Sequence, residues 1–498
     1  MSRRWSAREI GLLAGPVAAL VCGLTVGPAS APQAGAMAAV AALMSAWWIT
    51  EALPLGATSL VPLVLLPLLG ILSPTQVAAS YASPIIFLYL GGFLIALAME
   101  RWNLHRRIAL GVLARIGGSA DRMVLGFLLV SAGLSMWISN TATAVMMLPI
   151  GLAVIGQIEE AFGRDRVRAV ASALLLSIAY GSSIGGVSTL IGTPTNLAFV
   201  LIYRRLFPEA AEIAFAQWML LALPVAVVLL AAAWLLLTRL ALRVDPALVP
   251  DRAVVRSHLA GLGRPGPEER MVLIVFAATA LLWVFRADLE IGALRIPGWA
   301  GLWPPLSRVD DGTVAVAMAL VLFVLPSREG RGGRVLEGSA LGDIPWSIIL
   351  LFGGGFALAE GFVESGLSQY LAEQLTAADD VPLWLTVAVI CTGVTLLTEL
   401  TSNVATASML LPLLGPLAVA RGIDPLQLMI PATLSASMAF MMPVATPPNA
   451  IVFAGGRLKI AEMARVGLLL NLTGVVVIVL LTSWLLPIAF PMPPAGAQ

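Results

Sequence analysis

Residues 135–149 read SMWISNTATAVMMLP and residues 398–412 read TELTSNVATASMLLP. Aligned without a gap, eight of the fifteen positions are identical, among them Ser139/Ser402, Asn140/Asn403 and Pro149/Pro412, and the copies lie 263 residues apart in a chain of 498. Each copy sets a polar Ser-Asn turn between two apolar arms. The chain around them is 59% hydrophobic and 11% charged, which is the balance of a protein that lives in a bilayer. Hydrocarbon offers no partner to the backbone of such a turn, so the turn must be buried in protein or line a wet cavity. Two polar interruptions at corresponding places in two halves point to the binding site of a transporter.

The remaining composition excludes other classes. A net charge of +1 gives no basic surface for nucleic acid. Cys22 and Cys391 lie in apolar segments and read as small fillers of membrane helices, not as a disulfide. His105 and His258 fall in predicted inner loops, and no cluster of His, Cys and carboxylates reads as a metal site. A membrane enzyme would need a nucleophile and base, a metal cluster or a carboxylate pair within the apolar segments, and none is apparent. At the N-terminus Arg3, Arg4 and Arg8 precede an apolar run at 10–26, and Ala29-Ser30-Ala31 resembles a signal-peptidase site. The reading adopted is an uncleaved first membrane helix.

A crossing takes about 20 apolar residues. Spans are expected near 10–28, 36–52, 56–73, 84–100, 168–202 (interrupted at 181–196), 216–242, 271–286, 312–326, 345–362, 427–454 (broken at 443–449) and 464–490. The Ser-Asn motifs form hairpins at 124–157 and 384–417, residues 364–379 an amphipathic interfacial helix, and residues 243–270 a basic aqueous loop. If the hairpins enter and leave on one side, eleven spans remain, one alone and five in each half. An odd number per half inverts the second repeat. The basic residues agree with an N-terminus inside and a C-terminus outside: 23 of the 29 fall in the inner segments, leaving Arg204, Arg205, Arg286, Arg295, Arg308 and Arg421 outside.

Further landmarks repeat in the same order. Gly91-Gly92-Phe93 matches Gly354-Gly355-Phe356, Leu104 matches Leu367, and Gly192-Thr193-Pro194-Thr195-Asn196 matches Ala445-Thr446-Pro447-Pro448-Asn449. Ser139, Asn140, Thr141 and Thr193, with Ser402, Asn403 and Thr446, bring hydroxyl and amide groups to these interruptions, none of them charged. Broken helices add open N–H groups at helix starts, suited to an anion, and open carbonyls at helix ends, suited to Na⁺. A lone Ser or Thr in a membrane helix commonly bonds only the carbonyl four residues back. Duplication of the whole set favours a ligand site. Glu399 adjoins the second turn, where an acid is functional by default. Two roles stay open for it, tuning a cation site or pairing locally.

With these motifs the chain resembles the divalent anion/sodium symporters. Trp47-Trp48-Ile49-Thr50-Glu51-Ala52-Leu53-Pro54 is similar to a stretch near the start of those transporters. Ser437-Met438-Ala439-Phe440-Met441-Met442-Pro443-Val444-Ala445, with Asn449 and Val452, is similar to their signature, so the resemblance runs from about residue 37 to the end. It implies an all-α polytopic elevator transporter of the inner membrane, a homodimer, that takes up a small divalent anion with Na⁺. Carried over, Ser139, Asn140, Thr141, Thr193, Ser402, Asn403, Thr446 and Pro447 would contact the anion. One Na⁺ would sit on Ser135, Ser139, Asn140 and the Gly192 carbonyl, the other on Thr398, Ser402, Asn403 and the Ala445 carbonyl. The implied division is 1–122 as scaffold, 123–242 as the first transport part, 243–380 as basic loop with the second scaffold part, and 381–498 as the second transport part. One position departs from the pattern: Val404 stands where the family has Thr, so one hydroxyl is missing.

The expected function is Na⁺-coupled uptake of a C4-dicarboxylate such as succinate. Alternatives are a sulfate symporter, a Na⁺-independent exchanger, for which a cation within the motifs would be needed, and an anion channel, which would want a continuous polar path. The distribution of arginines makes the first testable prediction. Cysteines introduced between residues 243 and 270, in a background lacking Cys22 and Cys391, should react with an impermeant maleimide only from the cytoplasmic side. Labelling from outside intact cells would overturn the orientation.

Overall fold

A computed structural model describes residues 6–27, 32–116, 118–248, 253–291, 294–328, 333–375 and 381–490. The tripeptide Ala29-Ser30-Ala31 and the end of the 364–379 segment lie outside these residues. Among the described residues the fold is helical but for one antiparallel pair of strands, Leu289–Ile291 and Leu294–Ile296, with Glu290 opposite Arg295. The all-α expectation holds, with this short pair as a local addition. Leu-Glu-Ile and Leu-Arg-Ile alternate with the two-residue period of strands.

Nine described helical segments are long and apolar enough to cross a membrane. Two of them, Asn140–Phe162 and Asn403–Ala420, are second arms of the Ser-Asn motifs. The expected span at 56–73 is instead two short helices, Leu55–Thr58 and Val61–Leu68, in a stretch where Pro62 and Pro67 remove backbone donors. Two segments expected as loops carry helices, Leu104–Ile116 and Ala253–Gly261. His105 accordingly lies buried at the start of a helix, its ring N–H donating to the Met99 carbonyl (3.0 Å). Burial, together with the nearby Arg106 charge, pulls its pKa below the usual histidine value. His258 lies in the helix Ala253–Gly261 and is exposed.

The helices sort into two compact units, each built from separated segments of chain. One comprises residues up to Ile86, Pro194–Ile213 and Pro345–Ser437, and the other Phe87–Thr193, Ala214–Ile344 and from Met438 onward. Both unit boundaries that follow residues 193 and 437 fall at the ends of helix interruptions. The first interruption is narrower than expected, since the helix Arg164–Gly186 continues to residue 186 and resumes at Pro194. The second is displaced toward the N-terminus: the helix Leu426–Ala436 stops well before Pro443, and Pro447–Ala454 follows. Loose peptides in this second gap find side-chain donors. Asn449 Nδ2 donates to the carbonyls of Ala439 (2.9 Å) and Met442 (3.0 Å), and the Tyr180 hydroxyl donates to that of Phe440 (3.0 Å).

In the first unit Pro194–Leu206 packs on Asn403–Ala420, with Gly415 under Leu206 and Phe207. Glu360, buried in Trp346–Glu364, accepts from the Ser80 hydroxyl (2.9 Å) and pairs with Arg205. The segment Leu367–Leu375, expected to lie at the interface, packs on Pro32–Thr50 and on Asn403–Ala420. In the second unit Pro447–Ala454 packs on both Asn140–Phe162 and Arg164–Gly186. Each post-interruption helix thus lies against the hairpin arm of the other repeat.

Ala120–Ser135 and Arg164–Gly186 approach closely in the second unit, and small residues allow it. A Cβ on Gly181 would lie 2.6 Å from the Leu128 carbonyl oxygen, and one on Gly185 would lie 2.2 Å from that of Ala132. These glycines are spaced as small-xxx-small, the pattern that lets membrane helices touch backbone to backbone. Backbone atoms cannot swing aside as a side chain can, so overpacking here should cost at least about 1–3 kcal/mol. Gly185→Ala should lower the thermal unfolding midpoint of the purified protein, and Gly133→Ala, in open space, should leave it unchanged. Equal midpoints for Gly185→Ala and wild type would contradict this packing.

Candidate functional site

The second unit holds the first motif. The helix Ala120–Ser135 ends at Ser135, a short turn follows, and Ser139 caps the helix Asn140–Phe162 by accepting from Ala142 N–H (3.1 Å). Across the turn the Ser135 hydroxyl donates to Asn140 Oδ1 (2.5 Å). Room for the Asn140 side chain exists because position 186 is glycine: a Cβ there would lie 2.5 Å from Asn140 Oδ1. Gly192 sits in the interruption, where a Cβ would lie 2.4 Å from the Gly186 carbonyl oxygen and 3.0 Å from the Ser135 carbonyl oxygen. Ser135, Asn140, Gly186 and Gly192 are therefore brought together, with Thr193 buried beside Gly192 in sequence and Thr141 in the first helical turn.

Thr189 fastens this arrangement. Its hydroxyl donates to the Met136 carbonyl (2.5 Å) and accepts from Gly192 N–H (3.0 Å), tying the hairpin turn to the interrupted helix. Reasoning from duplicated motifs misses Thr189 and Gly186, because neither belongs to the matched sets. The sequence signal that finds Gly186 is the glycine cluster at 181, 185 and 186.

The first unit holds the second motif in the same form. Leu383–Thr398 and Asn403–Ala420 flank the turn, and Thr398 Oγ1 lies 2.8 Å from Asn403 Oδ1. The five-residue Ser135–Asn140 pairing is thus repeated with Thr in place of Ser. Thr398 Oγ1 also lies 2.7 Å from the carbonyl of Ala436, the last residue before the second interruption. One hydroxyl hydrogen serves one acceptor at a time. With the Asn403 amide turned over, its NH₂ donates to Thr398 and both contacts are satisfied. Here too a hairpin arm is tied to the interruption of its own repeat.

The copies also differ. Ser402 occupies the cap position without capping through its side chain, so its hydroxyl is not spent on the helix as that of Ser139 is. Thr401 and Thr406 pair hydroxyl to hydroxyl (2.5 Å) behind the turn. Val404 is buried in the first helical turn, and Glu399, at the end of the first arm, is buried too. Ala445, Thr446 and Pro447 belong to the second unit, with the first motif; Thr398, Ser402 and Asn403 belong to the first. Pro447 and Pro448 take two of the N–H groups that the start of Pro447–Ala454 would otherwise present. The first interruption has one proline, Pro194, at the corresponding start.

Several buried hydroxyls near the first motif are uncommitted. Ser131, Thr143 and Ser183 have no hydrogen-bond partner among the described residues, although a serine or threonine in a membrane helix ordinarily bonds back four residues. The Asn449 Oδ1 is likewise without one, while its Nδ2 is used twice. Chemically, the ensemble offers neutral oxygens and open helix starts, a donor set for a weakly held hard cation and for an anion.

Comparison with known proteins agrees with this chemistry. Residues 9–490 match the model of the sodium:sulfate symporter transmembrane region. The chain is 42% identical over 485 residues to the sodium-dependent dicarboxylate transporter SdcS of Staphylococcus saprophyticus, covering 96% of this chain and 91% of that one. SdcS of Staphylococcus aureus is 42% identical over 486 residues, with the same coverage. Among solved structures, the YdaH transporter of Alcanivorax borkumensis has a TM-score of 0.57 at 16% identity, over 84% of this chain and 89% of that one. MtrF of Neisseria gonorrhoeae has a TM-score of 0.56 at 12% identity, over 96% and 95%, and at such identities both likenesses concern the fold alone. This chain belongs to the sodium:sulfate symporter family, the divalent anion/sodium symporters.

Proposed function

We infer that this chain is a secondary active transporter that carries a small divalent anion inward with Na⁺, the anion being a C4-dicarboxylate such as succinate. The observation that carries the reading is the duplicated hydroxyl–asparagine pairing, Ser135 with Asn140 and Thr398 with Asn403, each tied to a helix interruption. Each turn gathers neutral oxygens for one Na⁺. The Gly192 carbonyl completes the first set, and the family resemblance assigns the Ala445 carbonyl to the second. Ser139, Asn140, Thr141, Thr193, Ser402, Asn403, Thr446 and Pro447 serve the anion, whose charge is met by N–H groups at helix starts in place of a buried Lys or Arg. Such a site is occupied by anion and cation together, which is what couples their movement. The names of the staphylococcal relatives support a dicarboxylate.

Further parts of the proposal are re-entrant hairpins, an elevator motion between scaffold and transport parts, a homodimer, and an inner-membrane setting with the N-terminus cytoplasmic and the C-terminus outside. The arm Asn140–Phe162 has the length of a span. Its last turns carry Gln157, Glu159 and Glu160, however, and Glu159 pairs with Arg457 (2.8 Å), so its apolar part is shorter than the helix. A polar end of this kind suits an arm that turns back.

Sulfate symport is the second reading. Val404 favours it, because a carboxylate loses one possible donor there, and the family description names sulfate.

Replacement of either asparagine tests the site. A hydrogen bond to a charged group is worth about 1.5–3 kcal/mol, and about 1.4 kcal/mol is a factor of ten. Asn140→Ala and Asn403→Ala should each reduce Na⁺-driven succinate uptake at least about tenfold in proteoliposomes, with insertion and thermal stability near wild type. Their apparent Na⁺ affinity should fall as well. Uptake at the wild-type rate in either variant would make that turn structural.

A further inference from the structure

The helices Leu104–Ile116 and Ala253–Gly261 and the start of Pro267–Val284 line an open groove of about 860 Å³, away from both Ser-Asn motifs in sequence. Arg107, Arg115, Arg256 and Arg270 line it, with Glu269 as the acid. The Arg107–Glu269 pair is closed on itself: Arg107 Nε donates to Glu269 Oε1 (2.5 Å), and its Nη atoms donate to the carbonyls of Gly263 (2.9 Å) and Leu262 (3.2 Å). Arg115 Nη1 donates to the Gly111 carbonyl (2.8 Å), a neutral partner. Arg256 and Arg270 are exposed, and neither has a carboxylate partner among the described residues. Among the described residues the groove therefore carries more arginine than carboxylate.

Its other wall is apolar. Ile108 and Leu273 line it and are 37% and 44% exposed. Glu268, Glu269 and Arg270 immediately precede the apolar run from Met271. With 271–286 read from the sequence as a span, the groove falls where that span meets the headgroups, at the level of lipid phosphates. A soluble anion would satisfy the arginines and leave Ile108 and Leu273 in water; an amphiphile satisfies both.

We propose that this groove is a binding site for an anionic phospholipid, with the phosphate and headgroup on Arg256 and Arg270 and the acyl chain along Ile108 and Leu273. Arg107 acts as the frame of the site, holding the 262–263 turn to Leu104–Ile116. A bound lipid would then fasten the loop helix Ala253–Gly261 to the membrane helices beside it. The proposal is independent of what the protein transports.

The test is thermal unfolding of the full-length protein in detergent, titrated with phosphatidylglycerol, phosphatidylcholine or glycerol 3-phosphate. Phosphatidylglycerol should raise the midpoint, and phosphatidylcholine and glycerol 3-phosphate should not. R256A/R270A should need at least about tenfold more phosphatidylglycerol for the same shift, since each basic side chain near an anionic headgroup adds to its attraction. R256K/R270K, which keeps the charge, should respond nearly as wild type does. Equal stabilisation by phosphatidylcholine, or an unaltered response of R256A/R270A, would overturn the site. A full shift with glycerol 3-phosphate alone would overturn the lipid as ligand in favour of a free anion.

Discussion

A peptide group opened inside a bilayer has no water to turn to, and this chain opens a helix twice and turns between helices twice more in its apolar segments. The cost of each unsatisfied group is several kcal/mol. What makes the openings tolerable is a small number of side chains: Thr189 and Thr398 bridge a hairpin to the interruption of the same repeat, and Asn449 and Tyr180 cover the loose carbonyls of the second gap. The rest of the architecture follows from that requirement. An opening held by its own side chains keeps a fixed shape, and under the proposed function its remaining oxygens and N–H groups would meet a ligand with no reorganisation left to undergo. Such preorganisation is how neutral groups hold charged ions.

Glycine sets how near the elements can come. Backbone approaches at Gly181 and Gly185 bring Ala120–Ser135 against Arg164–Gly186, and the missing side chains at Gly186 and Gly192 leave the space that Asn140 and the Ser135 carbonyl use. Association in lipid lacks the hydrophobic drive of water and depends on such close packing. The same residues that hold the helices together therefore shape the polar turn.

Much of this was legible in the sequence, and the reason is duplication. Ser139/Asn140 and Ser402/Asn403, with the two Thr-Pro segments, marked the interruptions because a repeat separates constrained positions from incidental ones. Features found once were harder to see. Thr189 acts through its position across a turn, which sequence spacing does not reveal. The helix Ala253–Gly261 hid in a stretch whose Arg, Pro and Gly content reads as loop, and the 56–73 segment read as one span because its apolar residues outweighed its prolines. Break positions shifted because packing and distant partners decide where a helix ends: the first helix runs on through Gly181, Gly185 and Gly186 with Gly181 and Gly185 against Ala120–Ser135, while Asn449 and Tyr180 support an early stop in the second. The strand pair at 289–296 is too short to stand out against so many apolar runs.

The central claim is that binding of Na⁺ and of a dicarboxylate are one event. Purified protein in proteoliposomes, given labelled succinate outside, measures this directly. Uptake should be driven by an inward Na⁺ gradient, should disappear when K⁺ replaces Na⁺ on both sides, and should need no anion trapped inside. Succinate entry that is equally fast without Na⁺, whether by leak or by exchange for internal anion, would contradict the account.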